Sequence, residues 1–295
     1  MNTSKKYFIL SDPHSFYTYM MNSLTDAGFD VNNENHILVI LGDIFDRGTE
    51  PIQMYNFLKE FPRDRRILIR GNHEYLLKEL YERGYYLNHD IHNGTVSTIS
   101  YFCGEGGKTP LDIKNEIIGK YADGDIDVQT IMKLVNDGCS AHSNKLFHCK
   151  LTEDIIAWID SDEWVNYFET EHYIFVHSFI PLKETMSLGG LIEIGEEYFD
   201  NWREDANEYQ WEQATWGCPY DMYLNGYFDK EKENGKTLVC GHWHTKDFWN
   251  TLEGKCYDSF TNPIFKSDKY NIIGLDTCTV LTHKVNVLVL NEDEL

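Results

Sequence analysis

The sequence has little positive charge. Its 295 residues include 26 Lys and Arg against 48 Asp and Glu, which gives a formal net charge of -22 with neutral histidines. Such a surface repels a phosphate backbone wherever positive charge is not concentrated locally. We therefore expect no extended nucleic-acid-binding face. Phosphate chemistry stays open, because bound divalent cations can be the largest charges in a site and reverse its sign.

Paired cysteines and long apolar segments are also missing. The seven cysteines include no Cys-x-x-Cys pair, and their odd number argues against a complete disulfide framework. The opening segment, MNTSKKYFILSDPHS, has only the short apolar run YFIL, which is too short for a signal peptide or a membrane span. We expect a cytoplasmic protein that does not enter a membrane.

What the chain does contain is a series of short apolar runs that each end in polar residues. Continuous runs of about four to six apolar residues are typical of strands that are buried on both faces. The predicted strands are Lys6–Leu10, His36–Leu41, Arg66–Ile69, Tyr173–Val176 and Thr237–Cys240. Helices are predicted between the first of them, at Tyr17–Asp26 and at 50–61. This alternation predicts an α/β fold whose ligand site lies beyond the carboxyl ends of the strands.

The middle of the chain follows a different pattern. With 42% hydrophobic residues, the chain can bury a sizeable core, and we expect a single domain over residues 1–295. Residues 81–163 alternate glycine-containing breaks with predicted helices at Pro110–Tyr121, 128–136 and 153–159. We interpret 81–163 as a helical insertion or cap within that domain.

Two later stretches complete the predicted organisation. Residues 193–236 are acidic and rich in Tyr and Trp, and we expect them to form loops around the mouth of a pocket. Near the C-terminus, IIGLDTCTV and KVNVLVL predict two further strands. We expect these two strands to form a hairpin in the same core.

The polar residues that follow the first two strands are of types that bind metal ions. Asp12 and His14 are one residue apart and can point to the same side of a loop, although such a pair alone is more often a turn. In GDIFDRG, residues 42–48, Asp43 follows the strand directly, where its two carboxylate oxygens could bridge two cations. Gly42 leaves room for the backbone to approach them. Alternatively, Asp43, Asp46 and Arg47 are turn residues in a surface salt-bridge cluster.

The motif GNHE, residues 71–74, adds three further polar residues. The side-chain oxygen of Asn72 can bind a cation without adding negative charge, and His73 stands beside it. Alternatively, His73 is a hydrogen-bonded histidine at a helix start. Glu74 falls in the first turn of a predicted helix, where a carboxylate is favourable, and we expect it to be structural.

Three more histidines follow later strands. His177 comes after the fourth strand, and GHWHT supplies His242 and His244. Two histidines one residue apart on a loop can each reach a different ion, whereas on a regular strand they would share a face. The remaining histidines lack such contexts and are expected not to be ligands: His36, His89, His92, His142, His148, His172 and His283.

Taken together and in this order, the motifs resemble those of the calcineurin-like metallophosphoesterases. Within them they are most similar to the branch of the PPP-type serine/threonine protein phosphatases and the bacterial diadenosine tetraphosphatases. The matching segments are DPH, GDIFDRG, GNHE, VHS and GHWH, from Asp12 to His244. The resemblance implies a central β-sandwich flanked by helices in α-β-β-α layers. It also implies hydrolysis of phosphomonoesters by a hydroxide that bridges two metal ions.

The resemblance also implies roles for individual residues. It places one cation among Asp12, His14, Asp43 and His244, and a second among Asp43, Asn72, His177 and His242, with Asp43 as the bridge. It implies that His73 protonates the leaving oxygen, that Asp46 orients His73, and that Arg47 holds phosphate oxygens. We expect two divalent metal ions, in the first place manganese; a mixed His, carboxylate and amide set without thiolates also suits iron, zinc or nickel.

The sequence departs from the family pattern at two positions. Ser15 stands where the family has glycine, and we expect little consequence for metal binding. In TWGCPY, residues 215–220, Cys218 stands where the similar family stretch has an arginine that contacts phosphate. Either another arginine such as Arg203 compensates, or Arg47 and the metal ions hold the phosphate alone. Asp276, near the C-terminus, is expected to be structural.

Three functions remain open on the sequence. The first is a serine/threonine protein phosphatase-like enzyme that acts on phosphoproteins. The second is a hydrolase of dinucleoside polyphosphates such as diadenosine tetraphosphate, or of pyrophosphate at an RNA 5′ end. The third, a non-catalytic binding module, is disfavoured because every expected ligand is present. The separation between His73 and His177 is long for a protein phosphatase, so the insertion could reshape substrate access.

Overall fold

The fold is described from a computed structural model, which covers residues 4–121, 127–186 and 192–295. Strands were predicted at five of the positions where this structure has them, with the same bounds, because apolar runs end where polar motifs begin. Within the described ranges the strands are β1 (Lys6–Leu10), β2 (His36–Leu41), β3 (Arg66–Ile69), β4 (Trp164–Val165), β5 (Tyr167–Glu169), β6 (Tyr173–Val176), β7 (Leu182–Met186), β8 (Ile192–Tyr198), β9 (Thr237–Cys240), β10 (Phe265–Lys266), β11 (Ile272–Gly274) and β12 (Leu288–Asn291).

Helices connect and cover these strands. In the same described ranges they are α1 (Tyr17–Asp26), α2 (Pro51–Glu60), α3 (Asn72–Arg83), α4 (Asn88–Asn93), α5 (Thr95–Phe102), α6 (Pro110–Tyr121), α7 (Val128–Leu146), α8 (Lys150–Ile159), α9 (Trp202–Asp205), α10 (Glu208–Ala214), α11 (Pro219–Leu224), α12 (Thr245–Glu253) and α13 (Thr279–Thr282), with 3₁₀ turns at Arg63–Arg65 and Glu292–Glu294. None of these helices is both long and apolar enough to cross a membrane.

Two five-stranded sheets form the centre of the described structure. The first has the order β12-β1-β2-β3-β4 and is parallel except for β12, which pairs antiparallel with β1. The second has the order β10-β11-β9-β6-β5, in which β11, β9 and β6 are parallel. The hairpin of β7 and β8 forms a separate two-stranded sheet. The polar motifs follow the carboxyl ends of β1, β2 and β3 in the first sheet and of β6 and β9 in the second.

Alternating side chains along each strand build the layers. In β1, Ile9 joins the core between the sheets together with Val39 of β2 and Phe175 of β6. Its neighbours Phe8 and Leu10 face the helices that cover the first sheet. The outer face of the second sheet packs against aromatic residues of α9 to α12. This arrangement confirms the predicted α-β-β-α layers.

The segment 81–163 is helical where it is described. α6 has the predicted bounds, whereas α7 continues ten residues past the predicted end and α8 begins earlier, at Lys150. The extension of α7 runs through Gly138, where a Cβ would lie 2.7 Å from Ile117 of α6. Close packing between these two helices therefore outweighs the low helix propensity of glycine.

The predicted C-terminal hairpin is wrong. β11 pairs in parallel with β9 in the second sheet, whereas β12 pairs antiparallel with β1 in the first. Residues 275–287 cross between the sheets and contain α13, which is bounded by Cys278 and His283 in left-handed conformations. The sequences of two short apolar strands do not indicate which sheet each strand joins. Each pairs with a strand whose backbone N–H and C=O groups on that side need partners, β12 with β1 and β11 with β9.

The prediction of loops for residues 193–236 is also wrong. The stretch contains most of β8 and the helices α9, α10 and α11. Its aromatic residues Trp202, Trp211 and Tyr220 are buried in the core outside the second sheet, together with Phe248 of α12. These rings serve packing because the second sheet needs an apolar cover on its outer face.

Candidate metal centre

The polar motifs follow the carboxyl ends of β1, β2, β3, β6 and β9, as short loops and, after β3, as Gly71 with the first turn of α3. We call them the strand-end loops: residues 11–15, 42–48, 71–73, 177–178 and 241–244. Ten non-glycine residues of the described chain have φ in the left-handed region, and seven of them lie in these loops: Asp12, His14, Ser15, Asp43, Asp46, Arg47 and His242. Each such residue costs about 1–3 kcal/mol, and strain of this kind clusters at functional sites.

Backbone contacts hold the first two loops together. His14 N donates to Asp43 O over 3.0 Å, and Ser15 N donates to Ile44 O over 2.7 Å. Gly42 has φ +80°, and a Cβ there would lie 2.6 Å from Gly71 Cα and from His177 Nδ1. Gly42 therefore lets three of the strand-end loops pack closely against one another.

Glu74 supports these loops from below. Its carboxylate is fully buried and accepts hydrogen bonds from Asp43 N, Ile44 N and Gly71 N at 2.8–2.9 Å. One side chain thus satisfies three amide groups of two different loops. This is the structural role predicted for Glu74.

Asp43 lies between two groups of histidines. Its Oδ2 is 3.8 Å from His14 Nε2 and 3.8 Å from His73 Nε2. Its Oδ1 is 3.4 Å from His177 Nε2, which in turn lies 3.2 Å from His242 Nδ1. Within each group the potential ligand atoms lie within 4.8 Å of one another. The two carboxylate oxygens therefore face two separate clusters.

The tautomers of these histidines suit metal binding. His14 Nδ1 donates to Phe45 O over 3.1 Å, and His177 Nδ1 donates to Leu41 O over 2.7 Å. Each Nε2 then presents a lone pair towards Asp43, as in metal sites where a carbonyl holds the other ring nitrogen. Burial, with Arg47 and His73 nearby, holds the pKa of His14 well below its usual value. Burial and His177 lower the pKa of His242 to about 3.

The surroundings of the Asn72 amide indicate whether a cation would fit between Asp43, His177 and His242. Asn72 Oδ1 lies 2.9 Å from His177 Nε2. The same end of the amide is 3.1 Å from His242 Nδ1 and 3.2 Å from Asp43 Oδ1. An amide oxygen, a carboxylate oxygen and two imidazole nitrogens thus converge with their lone pairs. A divalent cation among them would satisfy all four.

Asp12 and His244 lie outside these two groups. Asp12 is buried, accepts a bond from His242 N over 2.9 Å and contacts the Ser11 hydroxyl. His244 Nε2 is 3.9 Å from Asp276 Oδ2, at the N-terminus of α12. His73 therefore occupies the first group, where the resemblance implied His244.

Negative charge accumulates beside Asp12. Burial raises the pKa of Asp12, and the neighbouring carboxylates Asp276 and Asp43 raise it further. Burial also raises the pKa of Asp43, but His177, His73 and His14 reverse this and lower it overall. A cation near Asp12 would offset this charge.

His73, Asp46 and Arg47 form a hydrogen-bonded unit beside the first group. His73 Nδ1 donates to Asp46 Oδ2 over 2.7 Å, and both side chains are buried. Arg47 Nη2 donates to His73 Nε2 over 3.0 Å, and its Nη1 donates to His14 Nε2 over 2.9 Å. Burial lowers the pKa of His73, but Asp43 and Asp46 outweigh this and raise it.

Comparison with known proteins identifies the family. A sequence model described as calcineurin-like phosphoesterase matches residues 5–246. The chain belongs to the calcineurin-like phosphoesterase family. No curated protein matches this phosphoesterase.

Solved structures similar to this phosphoesterase include three described as phosphatases or phosphoesterases. A protein serine/threonine phosphatase from Saccharomyces cerevisiae is 12% identical, with TM-score 0.46 and coverage of 98% of this chain and 80% of that one. A metallophosphoesterase from Sphaerobacter thermophilus is 12% identical, with TM-score 0.42 and coverage of 99% and 85%. A structure suggested to be a diadenosine tetraphosphatase is 12% identical, with TM-score 0.42 and coverage of 98% and 90%.

The prediction that the protein binds divalent metal ions agrees with the family assignment and with the arrangement of the candidate ligands. The family is typically dependent on two metal ions, and this phosphoesterase has candidate ligand groups on either side of Asp43. The identity of the metal does not follow from these residues.

Arg203 does not reach towards these groups. Its guanidinium donates to both carboxylate oxygens of Glu169 over 2.6 and 2.7 Å, and it also contacts Glu233. It lies over the ring of Trp202, with 4.1 Å between the guanidinium carbon and the ring centroid. This leaves Arg47 as the arginine in contact with the histidines of the site.

Sequence reasoning missed Thr95, whose hydroxyl donates to Asp46 Oδ2 over 2.8 Å. It stands 49 residues from Asp46 in a segment with no recognised motif. The only local signal is its position after Gly94, at the start of a helix.

Proposed function

We propose that this phosphoesterase hydrolyses phosphomonoesters in a centre of two divalent cations, with serine/threonine phosphoproteins as its substrates. The position of Asp43 carries the proposal, because a buried carboxylate with one oxygen towards each of two ligand groups is suited to bridge two cations. Membership of the calcineurin-like phosphoesterase family supports it.

We assign the ligands as the motifs imply. Asp12, His14, Asp43 and His244 would hold one cation, and Asp43, Asn72, His177 and His242 the other. In this assignment His244 turns from Asp276 towards the first group. When bound, the cations would act as Lewis acids on the phosphoryl group and make water a nucleophile near neutral pH. Manganese is the first cation to test, since the ligand set contains no thiolate.

The remaining residues of the site act on the phosphate and on the proton. Arg47 has a planar guanidinium that can bind two non-bridging phosphate oxygens, in exchange for its present contacts with His14 and His73. His73 would give a proton from Nε2 to the leaving oxygen. Asp46 accepts from His73 Nδ1 and holds the ring in the orientation that this transfer requires.

The proposal is tested by activity with manganese on p-nitrophenyl phosphate and a phosphothreonine peptide. Asp43→Asn should lower kcat/KM on both by on the order of a hundredfold or more, because the bridging oxygen is lost. Asp26→Asn, at the exposed end of α1, is the matched control and should leave both rates unchanged. Full activity of Asp43→Asn would contradict the assignment of the bridge.

Hydrolysis of dinucleoside polyphosphates or of an RNA 5′ end is the second candidate, and exposed aromatic residues favour it. Trp216 and Trp243 are 43% and 39% exposed, and their rings lie 6.1 and 6.2 Å from the ring of His242. An exposed indole can stack a base with about 1–3 kcal/mol. A faster rate on diadenosine tetraphosphate than on the phosphothreonine peptide, lost in Trp243→Ala, would favour this candidate.

We further propose that residues 1–295 form a single domain and that 81–163 is an insertion in it. Contacts of α5 with the core under the first sheet support this, since Val96, Ile99 and Phe102 are buried there. Removal of 81–163 should therefore expose that core, and limited proteolysis of the whole chain should not release a stable fragment.

A further inference from the structure

A helix of the 81–163 segment reaches the proposed acid unit. α5 begins at Thr95, whose hydroxyl donates to Asp46 Oδ2 over 2.8 Å. The same carboxylate oxygen accepts from His73 Nδ1 over 2.7 Å. All three side chains are buried. The carboxylate therefore joins an imidazole of the α3 start to a hydroxyl of the α5 start, with solvent excluded.

The hydroxyl of Thr95 is held firmly against the loop that carries Asp46. The preceding residue, Gly94, has φ +88°, and a Cβ there would lie 2.6 Å from Arg47 N. The turn between α4 and α5 thus sits directly on the backbone of the 42–48 loop. At the other end of α5, Phe102 packs edge to face on Phe45 of the same loop, at 5.6 Å between ring centroids. The helix is fixed to this loop at both ends.

We propose that Thr95 is a positioning residue that acts through Asp46 on His73, and that it does not touch the substrate. This inference rests on the proposed role of His73 as the acid. Asp46 Oδ2 accepts both bonds, whereas the buried Asp46 Oδ1 has no hydrogen-bond partner in the part of the chain that the structure describes. Two donors on one oxygen, the Thr95 hydroxyl and His73 Nδ1, thus hold the plane of the Asp46 carboxylate in one orientation. Without the Thr95 hydroxyl, the carboxylate can rotate and the imidazole loses its fixed orientation.

If His73 is misplaced, kcat should fall most for substrates with a poor leaving group. Phenolate from phenyl phosphate needs a proton as the ester bond breaks, whereas p-nitrophenolate is a weak base and needs little help. Thr95→Val removes the hydroxyl and keeps the shape of the side chain. We expect it to lower kcat on phenyl phosphate about tenfold, to lower kcat on p-nitrophenyl phosphate about twofold at most, and to leave both KM values unchanged.

Two further variants separate positioning from packing. Thr95→Ser keeps the hydroxyl and should restore kcat on phenyl phosphate to within about twofold of the parent. Thr98 lies one turn further along α5 and is equally buried, but its hydroxyl has no hydrogen-bond partner among the described residues. Thr98→Val is therefore the matched control, and it should leave both rates and their ratio unchanged.

The action through Asp46 is tested by a double-mutant cycle, with kcat expressed per folded enzyme. Asp46→Asn should itself reduce kcat on phenyl phosphate, and Thr95→Val added to it should cause no further reduction. Independent, multiplicative losses would overturn the proposal. Equal losses on both substrates in Thr95→Val, or a failure of Thr95→Ser to restore the rate, would also overturn it.

Failure of the proposed function has a different signature. If His73→Asn lowers the rates on phenyl and p-nitrophenyl phosphate equally, His73 is not the acid, and the function proposed for it fails. If His73→Asn acts selectively on phenyl phosphate and Thr95→Val does not, only the inference about Thr95 fails.

Discussion

The strand-end loops and the outer layer of the second sheet, α9 to α12, are built on opposite principles. The loops contain seven non-glycine residues in left-handed conformations and a buried network of carboxylates and imidazoles. The outer layer is held by aromatic rings such as Trp202 and Trp211, with a single buried carboxylate, Glu233, as its polar anchor. Backbone strain and converging lone pairs mark the place of chemistry, and apolar packing marks the place of stability. Substitutions in the two regions should therefore separate activity from stability.

The largest effect is expected for Gly42→Ala in the strand-end loops. The added Cβ would lie 2.6 Å from Gly71 Cα and from His177 Nδ1, at φ +80°. We expect loss of phosphoesterase activity and a fall of about 3 kcal/mol in the free energy of unfolding, measured with urea. Gly28→Ala is the matched control, since Gly28 has φ +90° and nothing within 4 Å of a Cβ. It should cost only about 1 kcal/mol. Equal costs at both positions would break the comparison.

Two arginines contrast the regions directly. Arg203→Ala leaves Glu233 buried with the Tyr198 hydroxyl and the Trp202 indole as its donors among the described residues, and should lower the free energy of unfolding by about 2 kcal/mol. Its kcat/KM should stay within about twofold of the parent. Arg47→Ala should do the opposite, with a loss of kcat/KM of on the order of a hundredfold at nearly unchanged stability. A loss of activity in Arg203→Ala beyond its fraction unfolded would assign Arg203 to phosphate binding.

The third prediction concerns the support of the loops by Glu74. Glu74→Gln replaces one carboxylate oxygen with an NH2 group, which cannot accept a hydrogen bond from a backbone N–H group. It should lower the free energy of unfolding by about 1–3 kcal/mol, because a buried amide of Asp43, Ile44 or Gly71 loses its partner. Glu82→Gln, exposed on the same helix, should change it by less than about 0.5 kcal/mol. Thermal unfolding of the two variants distinguishes them.

The smallest predicted effect is an increase in the free energy of unfolding. Ser15 has φ +58° and a buried hydroxyl without a partner among the described residues. Ser15→Gly relieves both costs and should raise the free energy of unfolding by about 1 kcal/mol, with unchanged kcat/KM. A decrease in stability would show that the hydroxyl has a favourable contact in the folded protein.

The part of the fold that was predictable is the part built from strands buried on both faces. The bounds of β1, β2, β3, β6 and β9 follow from the sequence because each apolar run stops where a polar motif begins. The pairing of β11 and β12 does not, because two short apolar strands fit either sheet equally well. The burial of Trp202 and Trp211 cannot be predicted from the sequence either. It depends on packing against the outer face of the second sheet, whose strands lie elsewhere in the chain.

The candidate site was predictable by residue type more than by geometry. The motifs indicated Asp43 as the shared ligand, and its two oxygens do face two groups. The contact of His244 with Asp276 could not be predicted, because it depends on a crossing segment that joins the two sheets. The contact of the Thr95 hydroxyl with Asp46 could not be predicted either, because a single threonine 49 residues away forms no recognisable sequence motif.

The central claim is that one carboxylate joins two cations, and metal counting tests it most directly. The protein saturated with manganese and freed of excess should hold two ions per chain by elemental analysis, with an electron paramagnetic resonance signal from a magnetically coupled pair. Asp43→Asn should lose at least one ion and the coupling, whereas Asp26→Asn should retain both. A single uncoupled ion in the parent protein, or a coupled pair that survives in Asp43→Asn, would contradict the account.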